Sequence, residues 1–252
     1  MLKKIGITLG ILVLMILIYG TTAYLWMYLP TSGSRISDYK NPQAALLVID
    51  LQEDTSGPSS TFFPADKTGP LIARVNQVIE AADDHQMPVI YIGQTLDDNA
   101  INRAISGGKM IEGQPGIRQD SRLKKVSSVC FLKKRSDAFS SPELNKYLVD
   151  HQINRIYLVG LDAVYCVYKT GQGGVNRGYA VTIIPDATIT STDKTRSDIL
   201  TMYKKHGIST MSSSQFLSLK GTAGSRNQII EPQGRKTMKV NLSMSESFTI
   251  SR

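Results

Sequence analysis

The 252-residue chain is poor in the residues that staple or metallate small folds: it holds only two cysteines, Cys130 and Cys166, and three histidines. Two thiols exclude a disulfide-stapled scaffold, and so sparse a set of thiols and imidazoles offers no zinc-type cluster. Lys and Arg outnumber Asp and Glu to give a formal charge of +8, yet no basic run is interleaved with aromatics. That lack argues against a nucleic-acid surface, while a scattered basic excess suits anionic lipid headgroups equally well. Apolar residues make up 41% and charged residues 20%, ordinary globular values that fit neither collagen, wholesale disorder nor a polytopic membrane protein. Composition alone names no function.

What the chain does have is one long apolar run. From Ile5 to Leu29 there is no charged side chain, and 25 helical residues at 1.5 Å each reach ~37 Å, enough to cross a hydrocarbon core of about 30 Å. Tyr24, Trp26 and Tyr28 gather at its far end, where amphipathic rings favour the headgroup zone, and Pro30 stops the helix. A cleaved signal peptide is the competing reading, with Thr21, Thr22 and Ala23 as a poor cleavage site. The run continues past that site, which favours an uncleaved signal-anchor over residues 1–30 that meets the lipid bilayer through residues 5–29. Lys3 and Lys4 set against Arg35 and Lys40 leave orientation finely balanced; the very short N-terminal tail favours a globular domain outside the cytoplasm.

Residues 31–43 are polar and read as a stalk, and residues 44–220 as one α/β domain. Short apolar runs at 44–50, 89–95, 128–134, 156–161, 180–187 and, more weakly, 207–211 predict strands. Most are unbroken, as strands buried on both faces of a parallel sheet are. Helical patterns lie between them at about 69–86, 141–150, 164–178 and 192–206, with a less regular stretch at 97–124. Repeated strand–helix–strand units imply a three-layer α/β sandwich with a mostly parallel sheet of about six strands. For residues 221–252 two readings stay open, a short hairpin or an extension without regular structure.

Ligands in such sheets sit at the carboxyl ends of strands. Asp50 closes the first strand, Lys133 lies near the end of the third, and Cys166 follows the fourth. A carboxylate, an ammonium and a thiol suffice for acyl transfer: Asp50 takes the thiol proton, Lys133 favours thiolate, and Cys166 attacks a carbonyl carbon. Cys166 falls at a predicted helix start, where free N–H groups and the dipole lower a thiol pKa and stabilise an oxyanion. A single cysteine is more often a small buried hydrophobe; its coincidence with Asp50 and Lys133 reverses that reading.

These blocks resemble the isochorismatase-like cysteine hydrolases, a family that includes nicotinamidases and N-carbamoyl amide hydrolases. The resemblance spans about residues 44–211. LLVIDLQ (46–52) is similar to the family's D-x-Q strand, KKRSDAF (133–139) to its K-x-R-x-x-A-F segment, GLDAVYCV (160–167) to its nucleophile turn, and GYAVTIIPDA (178–187) to the helix end and strand that follow. The resemblance implies Asp50 as general base, Lys133 rather than Lys134 as the cation, and Cys166 as nucleophile. It also implies a cis bond between Asp162 and Ala163 that turns the Ala163 and Cys166 N–H groups toward an oxyanion. Ala163 stands where the family usually has Thr, and Thr55 where it often has an aromatic.

Members that cleave vinyl ethers lack the Cys, so its presence implies an amidase of small amide, ureido or carbamoyl substrates working through a thioester. Metal-binding members carry an Asp-x-His pair after the second strand, where this chain reads GQTLDDNAIN (93–102). The resemblance therefore implies no metal and no cofactor; His85, His151 and His206 fall near predicted helix C-termini, a structural setting. Gln52, Phe139 and Tyr165 are candidate substrate contacts, and a homo-oligomer is implied by family habit. The alternative is a non-catalytic, membrane-tethered binding protein on the same fold. If the domain faces an oxidising compartment, Cys130 is the one possible intramolecular disulfide partner of Cys166.

Overall fold

In a computed structural model, residues 2–219 are described, with side chains from residue 7 onward; the extension from 221 lies outside the described residues. Six strands, β1 (Gln43–Ile49), β2 (Val89–Gln94), β3 (Cys130–Lys133), β4 (Ile153–Leu161), β5 (Ala180–Ile189) and β6 (Ser209–Thr210), form one sheet in the order β3-β2-β1-β4-β5-β6. Every pairing is parallel. The strands lie where the unbroken apolar runs predict them, and the reason is visible in β1. Ala45, Leu47 and Ile49 face one core, Leu46 and Val48 the other, and all are 0–1% exposed.

Helices α2 (Ala65–Asp84) and α7 (Ser213–Leu217) cover one face of the sheet. Helices α4 (Pro142–Asp150), α5 (Cys166–Asn176) and α6 (Arg196–Lys205) cover the other. His85, His151 and His206 are the C-cap residues of α2, α4 and α6, the structural place the sequence assigns them. Ser141 accepts from Leu144 N at the start of α4, with Pro142 in its first turn. In the irregular 97–124 stretch only α3 (Ala100–Ser106) and one 3-10 turn at Pro115–Ile117 are helical. Carboxylates of the loop after β1 hold the rest: Asp54 accepts from Met110 N at 2.7 Å and Glu53 from Ser121 N at 2.8 Å.

The apolar N-terminal run is a single helix, α1 (Leu2–Tyr28), of which Ile7–Tyr28 is long and apolar enough to cross a membrane. The start of the stretch that follows is hydrogen-bonded to the domain. Thr31 donates through its N–H and hydroxyl to Asp137 Oδ2 at 2.7 and 2.6 Å, and Arg177 reaches the Thr31 and Ser32 carbonyls at 3.2 and 2.9 Å. Ile36 N donates to Arg177 O at 2.9 Å. Residues 31–36 are thus fastened to the domain by a buried carboxylate and a guanidinium.

Candidate active site

The strand order reverses between β1 and β4, and such a switch point opens a crevice at the carboxyl edge of a parallel sheet. Asp50 stands there, 4% exposed, with a left-handed backbone (φ 52°) that Asp tolerates better than most residues. Its N–H donates to Ile92 O at 2.8 Å, and its carbonyl accepts from the Thr55 hydroxyl at 2.5 Å. Thr55, where the family often has an aromatic, therefore braces the turn that presents the carboxylate. Gly160 lets β4 approach: at φ 108°, a Cβ on it would lie 2.1 Å from Ile49 O.

Lys133, 1% exposed, donates through Nζ to Asp50 Oδ2 at 2.8 Å and to Gln94 Oε1 at 2.6 Å. Three neighbouring strands, β1, β2 and β3, thus deliver a carboxylate, an amide and an ammonium from their ends. Sequence reasoning missed Gln94; its one signal was a polar residue closing an apolar strand, as Asp50 and Lys133 do. Lys134 points elsewhere and pairs with Asp97, in line with the motif spacing that selects Lys133.

Cys166 is the first residue of α5 and half-buried, close enough to interact with both Asp50 and Lys133. Asp50 Oδ1 is buried and takes no hydrogen bond among the described residues, so one carboxylate oxygen beside the thiol is open. The electrostatics run against the expected lowering of the Cys166 thiol pKa by the helix start and Lys133. Burial pushes the Cys166 thiol up to about 12; the Asp50 carboxylate adds to this, and the Lys133 ammonium only partly offsets it. Burial alone would lower the Lys133 pKa, but Asp50 and the Cys166 sulfur outweigh it and hold the ammonium above its usual range. Both shifts favour the neutral thiol at Cys166 and the ammonium at Lys133. Cys130 is exposed, and both cysteines are free, so no disulfide joins them.

The turn before Cys166 also corrects the sequence. The cis bond is Leu161–Asp162, one residue before the expected Asp162–Ala163. Ala163 N–H is not turned to the site, because it donates to Ile189 O at 2.9 Å. Val164 N goes to Asp162 Oδ1 at 2.8 Å, and Tyr165 N and Val167 N both go to Asp162 O at 3.1 Å. That leaves the N–H groups of Asp162 and Cys166 outside the turn's own bonding. The unusual charge at Asp162 is accounted for: its Oδ2 accepts from Ser191 N and Oγ at 2.7 and 2.9 Å and locks the turn to the chain after β5.

The candidate substrate contacts separate. Gln52 is 1% exposed, and its amide is committed to Gln94 N and O and to Ile117 O, which makes it a brace behind the site. Phe139 is buried in the core against Tyr179 and under Arg177. Tyr165, the residue before Cys166, is 38% exposed. Among the described residues, no group of three or more His, Cys, Asp or Glu side chains is placed to hold a metal ion.

Fold and edge chemistry together define a three-layer α/β domain of the hydrolase class. Residues 44–215 match the isochorismatase domain, more than half of the chain, and the protein belongs to that family of hydrolases. Solved structures share the fold. An isochorismatase family protein from Desulfovibrio vulgaris has 18% identity over 69% of this chain and 96% of its own, with a TM-score of 0.61. Nicotinamidase from Bacillus subtilis has 20% identity over 68% and 99%, with a TM-score of 0.60. N-carbamoylsarcosine amidase from Thermoplasma acidophilum has 20% identity over 68% and 96%, with a TM-score of 0.57. No curated protein matches the chain.

Proposed function

We propose that the protein hydrolyses the C–N bond of an amide or ureido group through a thioester on Cys166, with Asp50 as general base and Lys133 as its fixed counter-charge. The observation that carries this reading is the buried Asp50–Lys133 pair at 2.8 Å set against Cys166 at the start of α5. Asp50 takes the Sγ proton as sulfur bonds to the carbonyl carbon. The C–N bond then breaks, and the amine leaves with the proton that Asp50 returns. Water, deprotonated by the same carboxylate, attacks the thioester; the acid departs and the thiol regains its proton. The N–H groups of Asp162 and Cys166, free of the turn's bonding, suit the oxyanion. Lys133 holds Asp50 Oδ2 at 2.8 Å, fixing the carboxyl group beside the thiol.

The solved structures of similar fold named for nicotinamide and N-carbamoylsarcosine hydrolysis direct the search toward carboxamides and N-carbamoyl compounds. Ammonia release from a panel of both, compared between wild type and Cys166→Ala, tests the reading. Turnover only in the wild type supports it, and equal turnover in the two contradicts it. The reading includes placement: α1 anchors the domain in a bilayer, with the domain on the extracytoplasmic side.

A further inference from the structure

The last turn of α1 is built into the domain beside the candidate nucleophile. Met27 O accepts from Ser136 N at 3.0 Å, Leu29 O accepts from Arg135 Nη2 at 3.0 Å, and the Arg135 guanidinium sits 5.2 Å from the Trp26 ring centre. Immediately beyond, Thr31 is held by Asp137, which is 0% exposed, and by Arg177. A helix end tied down on both sides cannot swing freely, so the side chains of its final turn hold set positions.

One of those side chains stands against the residue before Cys166. The Tyr28 ring lies 5.7 Å from that of Tyr165, the residue before Cys166, and 4.8 Å from Tyr24 one turn back. Tyr28 is also near enough to Cys166 to interact with it electrostatically. Between helix and domain runs an open cleft of about 270 Å³ whose walls are Tyr24, Leu25 and Tyr28 on one side and Val164, Tyr165 and Met202 on the other. At about 30 Å³ per water, that is room for a group of roughly nine non-hydrogen atoms. Apart from the phenol hydroxyls and Lys169, which also lines the cleft beside Tyr168, the walls are aromatic or aliphatic, so the cleft suits an occupant that is largely apolar. Its helix side continues without a break into the exposed apolar surface of residues 7–23. From Tyr28 to Tyr24 is only ~6 Å along the axis, so a bilayer holding α1 with its aromatic residues in the headgroup zone brings the cleft to the interface.

We propose that the end of α1 is one wall of the substrate site, and that the amide delivered to Cys166 is carried by a membrane amphiphile whose apolar chain lies along Tyr28 and Tyr24. This rests on the hydrolase reading above and names its substrate class. Tyr28 and Tyr24 are specificity-determining residues, supplied by the same segment that anchors the protein. A freely soluble amide would need neither an apolar wall nor a fastened helix end.

The test uses the full chain in phosphatidylcholine vesicles and two alkylating probes with one warhead, iodoacetamide and N-dodecyl iodoacetamide. Labelling of Cys166 is read by peptide mass spectrometry, with exposed Cys130 as the internal reference for probe concentration. The expected result is a preference of Cys166 over Cys130 for the dodecyl probe of about tenfold or more, since each buried methylene favours the bound chain. Tyr28→Ala should lower that ratio severalfold and Tyr28→Phe should keep it, with Cys130 labelling unchanged in both. Equal probe preference at the two cysteines, or a preference indifferent to Tyr28→Ala, overturns the proposal. Ammonia release from dodecanamide and acetamide in the same vesicles separates the two readings. Equal turnover of both amides overturns the amphiphile and leaves the hydrolase. A dodecyl preference with no turnover of any amide supports the cleft and contradicts the hydrolase.

Discussion

Asp50→Asn separates the charge of the carboxylate from everything else it does. Asn keeps the size, tolerates the left-handed backbone at φ 52° and still offers Lys133 an oxygen acceptor. What is lost is the proposed base. With the thiol pushed up to about 12, spontaneous ionisation at neutral pH yields only about one thiolate in 10⁵, so the reaction depends on a proton acceptor in the transition state. A positioned general base contributes about 10²–10⁴-fold, so turnover should fall by that factor, roughly 3–5 kcal/mol of barrier. The thiol should move the other way. Asp50 raises its pKa and Lys133 lowers it, so removing the carboxylate lets the ammonium pair with sulfur. The pH midpoint of Cys166 alkylation by iodoacetamide should therefore shift to lower pH in the variant. Ammonia release and alkylation rates across the neutral to alkaline range read both effects on one preparation. Turnover within about threefold of wild type, or a midpoint that moves upward, would refute the reasoning.

Lys133→Met should be worse folded as well as inactive: it leaves Asp50 buried without its counter-charge, a loss of about 3–5 kcal/mol, read as a lowered denaturant midpoint. Gly160→Ala sets a Cβ 2.1 Å from Ile49 O at φ 108°. It should destabilise the domain by more than about 2 kcal/mol, with a lowered melting temperature by circular dichroism; an unchanged one would contradict the close approach of β4 to β1. Wild-type labelling of Cys166 should be slow at neutral pH and rise about tenfold per pH unit toward the thiol's pKa. A plateau near neutrality would show a thiolate at rest.

The sheet was legible because β1, β2, β4 and β5 are buried on both faces and so read as unbroken apolar runs. Asp50 and Lys133 were legible because each closes such a run. Gln94 does the same, but a glutamine after an apolar strand has no feature that sets it apart from an ordinary strand end. Motif spacing picked out Cys166 but not the cis bond, which lies at Leu161–Asp162, one residue earlier than the resemblance implied. Gln52 and Phe139 sit in suggestive blocks, yet the first is spent on holding β2 and the second on the core. Least legible was the docking of the segment after α1. Its partners Asp137 and Arg177 lie 106 and 146 residues from Thr31, and no local pattern announces contacts at such separation.

The central claim is a covalent bond between substrate acyl and Cys166. Rapid acid quench during turnover of any amide the wild type hydrolyses, followed by peptide mass mapping, reads it directly. The expected result is an acyl mass on the peptide containing Cys166 that disappears with hydroxylamine and is absent from Cys166→Ala. Turnover with no adduct, or an adduct on another residue, would contradict it.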